Sequence, residues 1–339
     1  MSGFLKTIHH KDTRFLSDFC NFVDVCLNGL TRIMGRITSL LDNIDVKKQD
    51  TDELYDIFRQ VPDYDYPVLR FYLYPGTVLI RQRINLPGAE FSKISDLGCP
   101  PAFCIHSYER ANVPYQSMFY ACSFPGDYKA EGADPPPPPR VVALLETSSF
   151  YRDKLASGIE RCTVSRWDVV KDLELVAMPF LFDYTRACKD ILDIKDSWNR
   201  EIAKYDVNQE GLELVEYMAK EIGKPFSSNI EYFKIANFIN YLLNVNEKTK
   251  NVDGIIYPSV PAAGAGFNVA LKPNIAKEKV QFKGASLCHL LKKKEQSYLT
   301  VLNHSISISG DCITYSPQSL DTKEEALYKE YADGLSFRN

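Results

Sequence analysis

The pattern of apolar residues changes twice along the chain, and these changes constrain the fold more than any other feature. Segments rich in β-formers, Val68–Tyr74, Thr77–Ile84 and Cys162–Met178, precede a long stretch of helical periodicity at 183–248. Strand-type segments return from Gly254 onward. The 20 Tyr and 19 Phe residues favour sheets over a plain helical bundle. We therefore expect sheet and helix in the same chain, which is long enough for one large core or two domains.

A long amphipathic helix is predicted near the N-terminus, over Phe15–Ile44. Its apolar residues recur at helical spacing, and Asp12 or Thr13 is suited to the N-cap. A shorter helix is predicted at Thr51–Arg59. We interpret the long helix as packed on its own domain, and docking to a partner is the alternative.

Five consecutive prolines at 135–139 interrupt the middle of the chain. Proline cannot join a β-ladder and prefers polyproline II geometry, so Phe124–Arg140 is expected to be an extended surface loop. A ligand for an SH3-type domain is the alternative. Val141–Leu145 is then predicted as a short buried strand that ends in Glu146. Burial of a carboxylate in this position costs free energy unless the group is exposed to solvent or has a functional role.

Charge and composition exclude several functions. The net charge is −4 with no long basic run, so we expect no nucleic-acid partner. No apolar run of about 18 residues and no signal-like segment occur, so we expect no membrane partner and a cytoplasmic protein. The nine cysteines include no C-x-x-C pair, and most of them lie among apolar neighbours, as reduced thiols in a protein core do. This pattern indicates a reducing compartment. Cys99, Cys104 and His106 lack a second ligand pair, so no metal site is expected.

Residues suited to a nucleotide site lie near the ends of predicted strands and in turns. Within Pro100–Ser123, Arg110 is suited to bind phosphate and Tyr120 to stack on a base. A carboxylate elsewhere can stabilise a cationic sugar while its glycosidic bond breaks. This set predicts metal-free cleavage of a charged nucleotide, NAD above all, and its other members are Arg81, Arg83, Glu146 and Ser259.

Four segments in the same order resemble the RES domain family, which is named for its Arg, Glu and Ser residues. Together they span about residues 78–275. The matching segments and the candidate residues they supply are Arg81-Gln-Arg83 after an apolar strand, PPAFCIHSYERANVPYQSMFYACS with Arg110, Asn112 and Tyr120, ALLETS with Glu146, and GIIYPSVPAAGAGFNVAL with Tyr257, Ser259 and Asn268.

The resemblance implies a compact α+β fold with an ADP-ribosyltransferase-like core of short twisted β-sheets and surrounding helices. The organisation expected is an N-terminal helical extension at 1–62 and an NAD-binding domain at 63–320. That domain contains the helical segment 183–248, and a polar tail or helix follows at 321–339.

The resemblance also implies NAD as the substrate, with hydrolysis or phosphorolysis of its nicotinamide–ribose bond. Transfer of ADP-ribose to a protein is one alternative, and nucleotide or partner binding without turnover is another. Many family members are toxins whose antitoxin covers the active-site cleft, so an antitoxin-like partner is implied. The assembly of protomers stays open, with a homo-oligomer among the alternatives.

The roles of single residues follow from the same resemblance. Arg81 and Arg110 would bind the phosphates, Tyr120 would line the nicotinamide pocket, Glu146 would act on the ribose and Ser259 would orient the substrate. Catalysis is thus assigned to Glu146, Ser259, Tyr120 and Arg81, with NAD binding by Arg81, Arg83, Arg110, Asn112, Tyr120, Tyr257 and Asn268. The proline loop separates Tyr120 from Glu146 by more than the family usually has, and Glu131 is the alternative carboxylate.

Overall fold

The computed structural model describes the backbone of residues 7–9 and the residues 35–123, 138–178 and 189–338. The strands are β1 (Thr7–His9), β2 (Leu69–Leu73), β3 (Val78–Ile84), β4 (Phe119–Ser123), β5 (Ser157–Val169), β6 (Leu173–Ala177), β7 (Gly254–Pro258), β8 (Phe267–Leu271), β9 (Val280–Lys293), β10 (Gln296–Ser309) and β11 (Cys312–Pro317). The helices are α1 (Arg36–Asn43), α2 (Thr51–Phe58), α3 (Ile94–Leu97), α4 (Pro139–Thr147), α5 (Ser149–Arg152), α6 (Lys189–Lys204), α7 (Gln209–Ile222), α8 (Phe233–Asn244), α9 (Pro273–Lys279) and α10 (Thr322–Ala332).

The described strands form one sheet in the order β1-β2-β6-β7-β8-β4-β3-β5-β9-β10-β11. The β1–β2 and β6–β7 pairs are parallel, and the other neighbouring pairs are antiparallel. Helices and this mixed sheet share the chain, which confirms the predicted α+β class.

A short connection between β2 and β3 forces the sheet to curl. Thr77 N–H donates to the Tyr74 carbonyl (3.0 Å), and Gly76 takes a φ of 92°, which glycine adopts without strain. Four strands separate β2 from β3 in the sheet, so a flat sheet would place them roughly 24 Å apart. The five Cα steps from Leu73 to Val78 reach at most about 18 Å. The sheet must therefore bend until β2 and β3 meet at this turn.

The neighbouring strands β3 and β4 pair only at one end. Their register covers Leu79 with Ser123 and Ile80 with Cys122. Beyond Ile80, β3 pairs with β5 alone, and β4 continues along β8 as far as Phe119. The two strands diverge, and a gap opens in the sheet.

The main core is built between the sheet and a layer of helices. In this layer α1 packs on α7, α2 packs on α8, and α7 packs on α8. Apolar side chains of these helices share one buried cluster with β2, β6, β7 and β8. Phe58 of α2 and Phe238 of α8, for example, meet edge to face with their ring centroids 5.4 Å apart. None of the described helices is long and apolar enough to cross a lipid bilayer.

One predicted element has the wrong type. Val141–Leu145, predicted as a strand, belongs to the helix α4, which Pro139 begins at a position where its missing N–H costs nothing. Val142 and Ala143 pack in a second buried cluster with Ile80 and Cys122. An apolar run of five residues is too short to show whether its period is that of a helix or that of a strand. Its valines are β-branched and therefore favoured the strand prediction.

Several other predicted elements are confirmed, whereas α3, α5, α9 and β9 were not predicted. The Thr51–Arg59 helix, the strands on both sides of Pro75-Gly76, the helices within 189–248, the β7–β8 segment and the C-terminal hairpin β10–β11 are present. Of the predicted helix Phe15–Ile44, the described part is helical at Arg36–Asn43. Residues 15–34 of that prediction with both N-cap candidates, residues 124–137 of the proline loop and residues 183–188 lie outside the described residues.

Gly254 sets the spacing between β7 and β8. A Cβ added at this position would lie 2.1 Å from the Ala270 carbonyl oxygen, which cannot move without displacing β8. We expect Gly254→Ala to reduce the free energy of unfolding by about 3 kcal/mol in urea denaturation. Gly284→Ala is the control, because its Cβ would meet only the rotatable hydroxyl of Ser305, at 2.9 Å. Equal losses in the two variants would contradict this explanation.

Candidate functional site

A cavity of about 350 Å³ lies in the gap between β3 and β4. Its walls come from both strands, from the loop before β4, from α4 and from β7 and β8. Seven of the nine residues predicted for the site line it, namely Arg81, Arg110, Asn112, Tyr120, Glu146, Tyr257 and Asn268. The fold therefore brings into one place residues that are spread over most of the chain.

The Glu146 carboxylate is held by two donors on one of its oxygens. Ser259 Oγ donates to Glu146 Oε1 at 2.6 Å, and Asn268 Nδ2 donates to the same atom at 2.7 Å. Within the described ranges, no hydrogen bond reaches Oε2. The carboxylate is thus fixed in orientation while one oxygen stays available to a ligand.

Ser259 is fully buried and lies behind the cavity wall. Its backbone N–H donates to the Gly266 carbonyl (2.8 Å), and the Ala262 N–H donates to its hydroxyl (3.3 Å). A Cβ on Gly266 would lie 2.8 Å from a methyl group of Val142 in α4. This close approach of helix and loop allows Glu146, one helical turn after Val142, to reach Ser259.

Asn268 is oriented by a buried thiol. Cys122 Sγ donates to Asn268 Oδ1 at 3.2 Å, which directs the amide nitrogen toward Glu146. Burial, and then the charge of Glu146, raise the pKa of the Cys122 thiol well above its ordinary value. The thiol therefore stays protonated and serves as the donor.

Tyr120 is anchored by its hydroxyl group. It donates to Asn112 Oδ1 at 2.6 Å and accepts from the Ala111 N–H at 3.0 Å. Burial is the main cause that raises the pKa of Tyr120, and it also raises that of Tyr257. Both hydroxyls stay neutral, so these residues offer the cavity aromatic surface rather than charge.

Arg81 is buried at the base of the gap. Its Nε donates to the Leu97 carbonyl (2.9 Å), its Nη1 donates to the Tyr120 carbonyl (2.6 Å), and its guanidinium lies 5.4 Å from the Phe119 ring centroid. Burial, with help from Arg83, lowers the pKa of Arg81 to about 10. The group is still charged at neutral pH, and its Nη2 donates to none of the described residues.

The other two predicted arginines have their donors occupied elsewhere. Arg83 donates from Nη1 to the Asp96 carbonyl (2.5 Å), lies over Phe91 and does not line the cavity. Arg110 does line it, but its Nη1 donates to the carbonyls of Ile222 and Lys224 at the end of α7. The structure thus gives Arg110 a capping role that the sequence did not reveal.

The cavity wall also contains polar residues that the sequence analysis did not select, among them Gln82, Glu109 and Tyr232. Gln82 lies between the two arginines of β3, but strand alternation turns it to the opposite face, and its buried amide has no partner among the described residues. Glu109 directly precedes Arg110, and the sequence analysis selected only the arginine of this pair. Tyr232 comes from the helical region, where no signal in the sequence connects it to the site.

The alternative carboxylate Glu131 lies outside the described residues. In the part of the chain that is described, no group of three or more His, Cys, Asp and Glu side chains is placed to hold a metal ion. Comparison with protein-family models gives no match, and comparison with curated proteins gives no match either.

Arg110 stabilises the contact between the cavity loop and the helical layer. Besides its hydrogen bonds to α7, its guanidinium lies over the rings of Phe226 and Tyr232. The guanidinium carbon Cζ is 5.6 and 5.1 Å from the two ring centroids. We expect Arg110→Ala to reduce the free energy of unfolding by about 3 kcal/mol. Arg166→Ala, which removes an exposed pair with Asp168, should cost less than about 1 kcal/mol. Urea denaturation measures both, and a small loss in both variants would contradict the capping role.

Proposed function

We propose that the protein cleaves the nicotinamide–ribose bond of NAD, as a glycohydrolase or a phosphorylase. The observation that carries this proposal is the Glu146 carboxylate, which two donors fix in a cavity that also presents a buried arginine and an aromatic ring. Such an arrangement fits a reaction in which positive charge develops on a sugar.

The chemistry follows from the charges. When the bond breaks, its electron pair moves to the nicotinamide nitrogen, the pyridinium becomes neutral, and the ribose carbon gains cationic character. Glu146 would stabilise this cation through its available oxygen and bind a ribose hydroxyl. Ser259 and Asn268 hold the carboxylate in place, so little reorganisation is needed as charge develops. Water or phosphate then attacks the ribose carbon.

Arg81 is the residue best placed to bind the pyrophosphate. It lines the cavity, keeps its charge and has N–H donors on Nη2 that no described residue accepts. Arg110 offers the remaining edge of its guanidinium, since its Nη1 caps α7. The half-buried ring of Tyr120, held by its hydroxyl, provides a flat surface for nicotinamide.

We also propose that the chain is related to the RES domain family and has an ADP-ribosyltransferase-like core. Support comes from the four ordered sequence segments and from the residues they supply, of which Arg81, Tyr120 and Glu146 surround one cavity. An antitoxin-like partner that covers this cavity and a cytoplasmic location belong to the same proposal.

Transfer of ADP-ribose to a protein is the second candidate, and one observation favours it. The loop that supplies Ile105 to the cavity wall also carries Phe103, which is 74% exposed, and Tyr115, which is 67% exposed. Apolar surface beside the cavity would suit a macromolecular acceptor. Transfer of labelled ADP-ribose from NAD to protein in a lysate would favour this candidate, whereas free products alone would favour the first.

The role of Glu146 can be tested by Glu146→Gln. The amide oxygen can still accept from Ser259 and Asn268, so the fold is kept, but the neutral group cannot stabilise a cation. We expect release of nicotinamide from NAD, measured with and without phosphate, to fall at least about 100-fold.

Glu295→Gln is the matched control, because Glu295 lies exposed in the turn between β9 and β10. It should retain the activity of the unmodified protein. Turnover in Glu146→Gln within twofold of that control would refute the assignment, and a folded protein that releases no nicotinamide would refute the proposed activity.

A further inference from the structure

A second carboxylate, Glu109, lines the same cavity as Glu146. The two groups have different surroundings. Glu146 is fixed by Ser259 and Asn268. The Glu109 carboxylate accepts no hydrogen bond and forms no ion pair with any residue that the structure describes. Its charge is therefore not used by the fold.

The backbone at Glu109 is nevertheless held firmly. Its N–H donates to the Asn112 carbonyl at 3.0 Å, which closes a short turn. Asn112 Oδ1 in turn accepts a hydrogen bond from the Tyr120 hydroxyl group. The carboxylate thus stands on a turn that is tied to the cavity wall, although the side chain itself is exposed at the open side.

The adjacent arginine does not neutralise Glu109. The Arg110 guanidinium is directed to the end of α7 and to Tyr232, and it makes no ion pair with Glu109. Tyr232 lies on the wall of the cavity that both carboxylates line. Glu109 and Glu146 are therefore both open to a ligand in this cavity.

Neighbouring protein atoms partly desolvate the Glu109 carboxyl group, although its side chain is exposed at the open side of the cavity. Desolvation raises the pKa of its carboxyl group, and the charge of Arg110 offsets part of this rise. A carboxylate that is free of partners, accessible from the cavity and more basic than usual has the properties of a general base.

We propose that Glu109 is the general base of the NAD-cleaving reaction and acts on the attacking water, an assignment that rests on the proposed function. The water oxygen forms a bond to the ribose carbon C1′ while the bond from C1′ to the nicotinamide nitrogen breaks. The electron pair of that bond leaves with nicotinamide. The proton lost by water passes to Glu109 and then to solvent, so NAD and water give ADP-ribose, nicotinamide and a proton. Glu146 stabilises the cation and Glu109 deprotonates the nucleophile.

Glu109→Gln, assayed with azide, separates these two roles. Azide has no proton to lose and needs no base, so it can attack C1′ directly. We expect hydrolysis of NAD by Glu109→Gln to fall at least about 100-fold. Added azide should restore nicotinamide release and give ADP-ribosyl azide. Glu146→Gln should not be restored, because the azide reaction still needs the cation to be stabilised.

The controls keep the two proposals apart. Glu295→Gln should hydrolyse NAD like the unmodified protein, and thermal unfolding checks that each variant is folded. If Glu109→Gln hydrolyses NAD at the control rate, or is slow and azide restores nothing, Glu109 is not the base, while the NAD-cleaving function stands. If the unmodified protein releases no nicotinamide, the proposed function fails, and the role of Glu109 fails with it.

Discussion

The short connection at 74–77 is the constraint on which the rest of the structure depends. It holds the ends of β2 and β3 together although four strands lie between them in the sheet. The bend that results cannot keep every pair of neighbouring strands in full register. The mismatch falls between β3 and β4, which separate after two residue pairs. The cavity is thus a product of how the sheet closes, and the buried Arg81 bridges it at its base.

The two carboxylates of the cavity differ in how they are hydrogen-bonded. Asn268 and Ser259 both donate hydrogen bonds to one oxygen of Glu146, and the Cys122 thiol donates to Asn268. This chain of bonds satisfies groups that would otherwise be costly to bury. Glu109, which lines the same cavity, has no hydrogen-bond or ion-pair partner for its carboxylate among the described residues. One carboxylate is therefore fixed in orientation and the other is not, which suits the separate electrostatic and base roles that we propose for them.

Much of this organisation could be predicted from the sequence, and the parts that could not have physical reasons. Alternation and turn residues located the strands on both sides of Pro75-Gly76. Motif order selected Glu146 and Asn268, which the fold brings together on the cavity wall. The helix α4 was missed because five apolar residues fit either periodicity. The capping role of Arg110 was invisible, since its acceptors at the end of α7 are more than a hundred residues away. Long-range closure of the sheet leaves no local signal.

The position of Arg110 has a consequence for the helical layer. Its guanidinium is shared between the cavity and the last carbonyls of α7. An anionic ligand that drew this group inward would compete with those carbonyls and leave them uncapped. Occupancy of the cavity by such a ligand and the order of the α7 terminus would then be linked equilibria, and each would shift the other by the same free energy. The helices would act as a reporter that registers whether the cavity is filled.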